Sequence, residues 1–255
     1  MWAHAIPGPE QGCLLIAHPL MFTNNQTYFH QAVLFVFSHA DTGTVGLILN
    51  KPTKFVLGGV HGAEVLRCVR AEKARCKRGR CPSEPASRAA PSAACRRVIT
   101  GPFRARPRSP EFSAEPLFLG GDVGRDTLHV LHPHPHLEGA QPVLHGVCIG
   151  GFRGAKDAVQ RGDARPEDFR WFTRYAGWAP GQLEAECQQG VWFTAAAGKD
   201  LVLQRVTGTG QEMWHQVLEL MGGEYADLSR AMRVSSQDAG VLGNGKEPKA
   251  DERRD

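Results

Sequence analysis

The stretch AVLFVFSHADTGTVGLILNKP, Ala32 to Pro52, decides the fold class. Ala32–Phe37 and Val45–Leu49 are rich in β-branched and aromatic residues, the composition of strands. Between them Asp41-Thr42-Gly43 supplies turn chemistry, so the segment reads as a hairpin. Asn50-Lys51-Pro52 stops the second strand, because proline cannot extend a ladder.

Outward from this hairpin the same signal recurs. Cys13–Ala17 is a short apolar run bounded by Gly12 and Pro19 and reads as a buried strand. Leu117–Leu119, Leu128–Leu131, Val143–Ile149 and Val191–Phe193 read as further strands. Helices enter later and singly. Gly154–Gln160 is a short one, and Pro166-Glu167-Asp168 has the proline and acids of a helical first turn. Phe169–Tyr175 fits helix or strand. Pro180–Gln189 places Leu183 and Cys187 on one helical face. Trp214, Val217, Leu218 and Met221 follow the i, i+3, i+4, i+7 pattern, with Thr209 as cap and Gly222 as stop. There is no regular βαβ alternation. The expected architecture is α+β, a mixed, curved, barrel-like sheet flanked by a few helices.

Charge divides the 255-residue chain unevenly. Residues 61–115 hold 13 Lys/Arg and 5 Asp/Glu; subtracted from totals of 30 and 26, this leaves 17 basic and 21 acidic residues elsewhere. The net charge of +4 therefore belongs to one segment, and the rest is acidic. From 61 to 110 large aliphatics are few and no period persists, so this basic insertion is expected to be disordered. It also has the character of an intron read through into the coding sequence. Residues 12–60 and 111–233 form one domain on this reading, with 1–11 an N-terminal extension and 234–255 a polar, disordered tail. No stretch of eighteen apolar residues occurs, so no membrane partner is expected. The N-terminus carries no visible targeting peptide, which makes the expectation a soluble protein. Seven cysteines, an odd number, suit a reducing compartment.

Several constellations invite a chemical reading. Ser38, His39 and Asp41 contain triad residue types, but neighbouring strand residues face opposite ways and no G-x-S-x-G elbow occurs. His129, His132, His134 and His136 are interleaved with Pro133 and Pro135, which points to an exposed polyproline-like loop with no carboxylate or cysteine to complete a metal set. Cys68, Cys76, Cys81 and Cys95 miss zinc spacing. Gly120-Gly121-Asp122-Val123-Gly124 reads as a tight turn, since Asp122 would repel an anion. Neither a metal nor a cofactor is expected.

The segments GCLLIAHPLM, VLFVFSHADTGTVGLILNKP, LFLGGDVGRDTLHVLH, YAGWAPGQLEAE and GVWF, in this order, resemble the AlgH/YqgE family, and MWHQVLELMGGEYADLSR resembles the ending of its plant and algal branch. The resemblance covers about Gly12–Thr53 and Glu111–Arg230. It implies a compact α+β domain around a barrel-like sheet and no established activity. The positions that match the family are His39, Gly46, Asn50, Pro52, Gly120, Gly121, His129, Tyr175, Gly177, Trp178, Gly181, Gln182, Leu183 and Glu184. Pro52, Gly120, Gly121, Gly177 and Gly181 are expected to serve the backbone. His39, Asn50, Trp178, Gln182 and Glu184 are the candidate pocket, against the plainer reading that Gln182 and Glu184 cap free helix amides. Plant-type relatives imply a chloroplast location, with the cytoplasm as the alternative expectation. Bacterial relatives have been called transcriptional regulators, but the acidic body and missing helix-turn-helix argue against direct nucleic-acid binding.

The functional expectation is a non-catalytic module that binds a small ligand or a protein. An enzyme with Glu184 as general base beside Asn50 or His39 is the alternative, and requires those side chains to converge. A further alternative is nucleic-acid binding through the basic insertion, with affinity that falls steeply with salt.

Overall fold

A computed structural model describes residues 1–23, 26–59 and 110–241. Its chain begins with β1 (Ala3–Ala5), β2 (Leu14–Ala17), β3 (Val33–Ala40), β4 (Gly43–Ile48) and β5 (Pro52–Val56). Next come β6 (Pro116–Leu119), β7 (Val123–His132), β8 (Ala140–Leu144) and β9 (Val147–Gly150). The helices α1 (Phe152–Arg161), α2 (Gln182–Gln188), α3 (Lys199–Val202), α4 (Gln211–Met221) and α5 (Gly223–Val241) are interleaved with β10 (Arg170–Trp178) and β11 (Trp192–Ala197).

The strands form a single sheet in the order β1-β11-β2-β3-β4-β10-β7-β9-β8, with β6 parallel to β10 and β5 paired to β6. It curls into a half-barrel, and the chain is α+β. The curl brings the far edge back towards the start: a Cβ on Gly12 would lie 3.3 Å from Leu144 Cβ, and one on Gly146 would lie 2.7 Å from Lys199 Cδ.

Strands that are apolar on both faces explain the continuous hydrophobic runs. Leu14, Ile16, Val33, Phe35, Phe37, Val45, Leu47 and Leu49 point into the inner core. The alternate Cys13, Leu15, Ala17, Leu34, Val36 and Ile48 point to the outer layer, which α2 covers through Leu183. Full burial of each large side chain contributes about 2 kcal/mol. A third cluster, including Phe112, Phe169 and Trp171, packs under α1. The expected α4 face, Trp214, Val217 and Leu218, is fully buried against the inner core.

Several expectations change. Val143–Ile149 is two strands with a turn at Gly146, φ 78°. Phe169–Tyr175 resolves as strand, because β10 is the hub that pairs with β4, β6 and β7. Pro166–Asp168 is a lone 3₁₀ turn. Gly210, in the left-handed region at φ 78°, takes the cap position of α4 in place of Thr209. His129 and His132 do not lie in an exposed loop: both are buried in β7, and the His132 ring bonds to the Gly150 carbonyl at 3.0 Å.

Two boundaries also move. The N-terminal segment contributes β1, paired with β11. The last helix runs through Val241. The basic insertion expected over 61–110 and its four cysteines lie outside the described residues, as does the tail beyond Val241. Among the described helices none is long and apolar enough to cross a membrane.

Candidate functional site

The two adjacent glycines serve the backbone, as a bridge between strands where a tight turn was expected. Gly120 carbonyl accepts from Ile48 N at 2.9 Å, while Gly120 N donates to the Thr173 carbonyl at 2.8 Å. A Cβ on Gly121 would stand 2.1 Å from the carbonyl carbon of Tyr175, so no side chain fits. The bridge meets β10 at a bulge between Thr173 and Tyr175, where Arg174 holds φ 65°. The bulge shifts the phase, so Phe172 and Tyr175 both face the inner core while Ala176 and Trp178 face the outer layer. A Cβ on Gly177 would only touch the Tyr175 ring, at 3.5 Å, and Gly181 supplies a left-handed turn, φ 73°, into α2. Pro52 opens β5, the strand position where a missing N–H costs least.

From this scaffold Trp178, at the end of β10, and α2 build the polar face. Glu186 is its organiser. Its Oε2 accepts from Trp178 Nε1 at 2.9 Å and from Trp192 Nε1 at 2.7 Å, and its Oε1 accepts from Gln182 Nε2 at 2.9 Å. The two indoles meet edge to face at 6.1 Å. Gln182 Oε1 in turn accepts from Ala179 N at 3.0 Å, the capping role anticipated for the first turn of this helix. Sequence reasoning missed Glu186. The available signal was its spacing of four from Gln182 on the same helical face.

His39 and Glu184 do converge. His39 Nε2 lies 3.6 Å from Glu184 Oε1, with side chains 23% and 43% exposed. The other ring nitrogen, Nδ1, is 2.7 Å from Thr44 Oγ1, which fixes the imidazole from the hairpin side. A carboxylate, an oriented imidazole and an exposed amide-bearing helix turn thus share one rim of the sheet. They can bind a ligand with donors and acceptors, and they can move a proton.

Asn50 stands apart from this group. It is fully buried and latches three backbone segments: its Oδ1 accepts from Val33 N at 2.9 Å, and its Nδ2 donates to the carbonyls of Gln31 at 2.9 Å and Gly210 at 3.0 Å. Three of the four hydrogen bonds its side chain can make are engaged there, so the expected five-residue pocket divides into a surface group and a core latch.

Two buried basic groups stand in the inner core, of which the sequence reading singled out only His129. Arg170 lies over the Phe118 and Phe172 rings, 5.0 and 5.3 Å from their centroids, and donates to the carbonyls of Val202 at 2.6 Å and Leu49 at 2.7 Å. Burial lowers its pKa to about 9. His129 sits between Phe37 and Tyr175 with neither ring nitrogen bonded, and burial lowers its pKa to about 4. Among the described residues no three His, Cys, Asp or Glu side chains come together as a metal site.

Comparison with known proteins places this geometry. A family model described as AlgH-like matches residues 14–226. A UPF0301 protein of Chlorobaculum parvum is 30% identical over 219 residues, covering 85% of this chain and 89% of the relative. A second, from Chlorobaculum tepidum, is 29% identical over 225 residues and covers 87% and 92%. The crystal structure of protein DIP2367 from Corynebacterium diphtheriae superposes with a TM-score of 0.57 at 17% identity, covering 89% of this chain and 93% of that one, and so shares the fold. The chain belongs to the AlgH-like family.

Proposed function

We propose that this domain is a non-catalytic binding module that engages a small ligand or a protein partner through the face carrying His39, Gln182 and Glu184. One observation carries the reading: the His39–Glu184 pair is partly exposed, while neighbouring side chains hold hydrogen bonds. Thr44 holds the imidazole, and Glu186 ties Gln182 to two packed indoles. Exposed polar groups held by such hydrogen bonds are preorganised for recognition. A regulatory role exerted through such a partner is part of the proposal, as is the plastid location drawn from the plant and algal resemblance, which imaging of a fluorescent fusion tests.

The experiment is a thermal-shift ligand screen followed by the same titration on His39→Ala and Glu184→Gln. Binding that weakens tenfold or more in both, with the unliganded melting temperature unchanged, supports the reading. A ligand or partner bound equally well by wild type and both variants overturns it.

A second reading has a specific observation in its favour. The 3.6 Å approach of Glu184 to His39 meets the convergence that general-base catalysis requires, although without Asn50. Turnover of a hydrolysable or acidic-carbon substrate that drops about a hundredfold in Glu184→Gln is the expected result, on the scale of general-base contributions. Turnover that is indifferent to that change removes the reading.

A further inference from the structure

The face that carries His39 and Glu184 is one-sided in charge. Residues 1–50 hold no Lys or Arg, and neither do residues 175–198. In buried strands such a lack is ordinary. Here it extends to the loops at 7–12 and 40–42 and to the outer side of α2, where Gln182, Ala185 and Gln188 are exposed. Carboxylates stand in these same places. Glu10 and Asp41 are exposed, and the Glu184 side chain is 43% exposed. Among the described residues none of the three forms an ion pair with Lys or Arg.

The fold gathers these groups around one surface. Thr44 pairs with Trp178, and a Cβ on Gly43 would lie 2.6 Å from the Trp178 carbonyl oxygen, so the Asp41 turn borders the entry to α2. Glu10 N donates to Cys13 Sγ at 3.4 Å, and Cys13 belongs to the outer layer against which Cys187 of α2 packs. Two exposed apolar side chains border the same surface, Leu20 at 72% and Met21 at 38%. Their loop is tied to it: His18 N donates to the Val191 carbonyl at 3.0 Å, and the Phe22 and Trp192 rings lie 5.1 Å apart. Unpaired carboxylates, no competing Lys or Arg, and an apolar border are complementary to a chain that combines basic and apolar side chains.

We propose that this face docks a basic segment of a partner protein. Its Lys or Arg groups meet Glu10, Asp41 and Glu184, and an apolar side chain of the same segment rests on Leu20 and Met21. This partner is the protein alternative of the binding module described above, and the proposal rests on that reading.

The test is fluorescence anisotropy of a labelled short peptide of alternating lysine and leucine, titrated with the full chain at about pH 8, where an ordinary imidazole is neutral. The glutamate–leucine counterpart is titrated alongside. The basic peptide should bind, more weakly as salt rises, and the acidic one should not. Glu184→Gln should raise Kd about threefold, and the combined Glu10→Gln, Asp41→Asn and Glu184→Gln about tenfold, the scale of exposed charge pairs. Leu20→Ser with Met21→Ser should cost about threefold. Glu138→Gln, at an exposed carboxylate between β7 and β8, should change nothing. All these positions are exposed or partly so, and the variants should keep the fold. No binding of the basic peptide, equal binding of the acidic one, or a loss in Glu138→Gln as large as in the triple variant overturns the proposal. A ligand from the thermal-shift screen that is anionic and needs His39 also overturns it, while leaving the binding-module reading intact.

Discussion

Asn50 and Gly210 meet in the core although 160 positions separate them: the Asn50 side-chain amide donates to the Gly210 carbonyl at 3.0 Å. The contact ties the end of β4 to the start of α4. It is also tight in the reverse direction, since a Cβ on Gly210 would lie 2.0 Å from the Asn50 carbonyl oxygen. Asn50→Ala leaves Val33 N and the Gln31 and Gly210 carbonyls without this partner. The expected loss is about 3 kcal/mol, the scale of buried polar groups left unpaired. Urea unfolding at neutral pH measures it, and a loss under about 1 kcal/mol contradicts the latch.

Glu186 offers a sharper contrast between structure and surface chemistry. Glu186→Ala strands two indole N–H groups and frees Gln182. A fall of about 2 kcal/mol is expected, with a change in tryptophan emission as Trp178 and Trp192 lose their shared acceptor. Glu184→Gln, at a partly exposed carboxylate facing His39, should stay within about 0.5 kcal/mol of wild type. Equal losses for the two variants refute this division of roles.

Acid should destabilise the fold through His129. The folded state keeps this ring neutral down to about pH 4, whereas the unfolded chain takes up a proton near pH 6.5. Between these values the unfolded state binds more protons, so stability falls as pH is lowered. His132, also lowered to about 4 by burial, adds to the same window. The His129 contribution is about 3 kcal/mol at full extent by linkage. Because its ring nitrogens have no partners and its neighbours are aromatic, His129→Phe should hold stability at pH 7 and flatten the slope between pH 6.5 and 4. An unchanged slope rules out this origin.

The two ends that flank the basic insertion are already joined. Leu57 N donates to the Glu115 carbonyl at 2.9 Å and Gly58 N to the Ser113 carbonyl at 3.0 Å. Replacing residues 60–109 with a linker of roughly four residues should leave the core folded, since loop length costs little once the ends are paired. A drop in melting temperature beyond about 3 °C, roughly 1 kcal/mol for a domain of this size, would falsify the expectation.

Strand positions, the β3–β4 hairpin, α2 and the α4 stripe are legible in the chain because side-chain period and turn chemistry are local properties. The resemblance motifs group His39 and Glu184 in one candidate set, and the fold brings the two side chains within 3.6 Å. What lies beyond local reading are contacts that only the curl of the sheet brings about. Asn50 looks like a site residue until Gly210 arrives from 160 positions away. Gly120 and Gly121 look like a turn until β10 lies against them. His129 and Arg170 look exposable until strands close around them. Burial and partner choice are properties of the assembled sheet, and they settle whether a polar residue works as a latch, a ligand contact or a buried base.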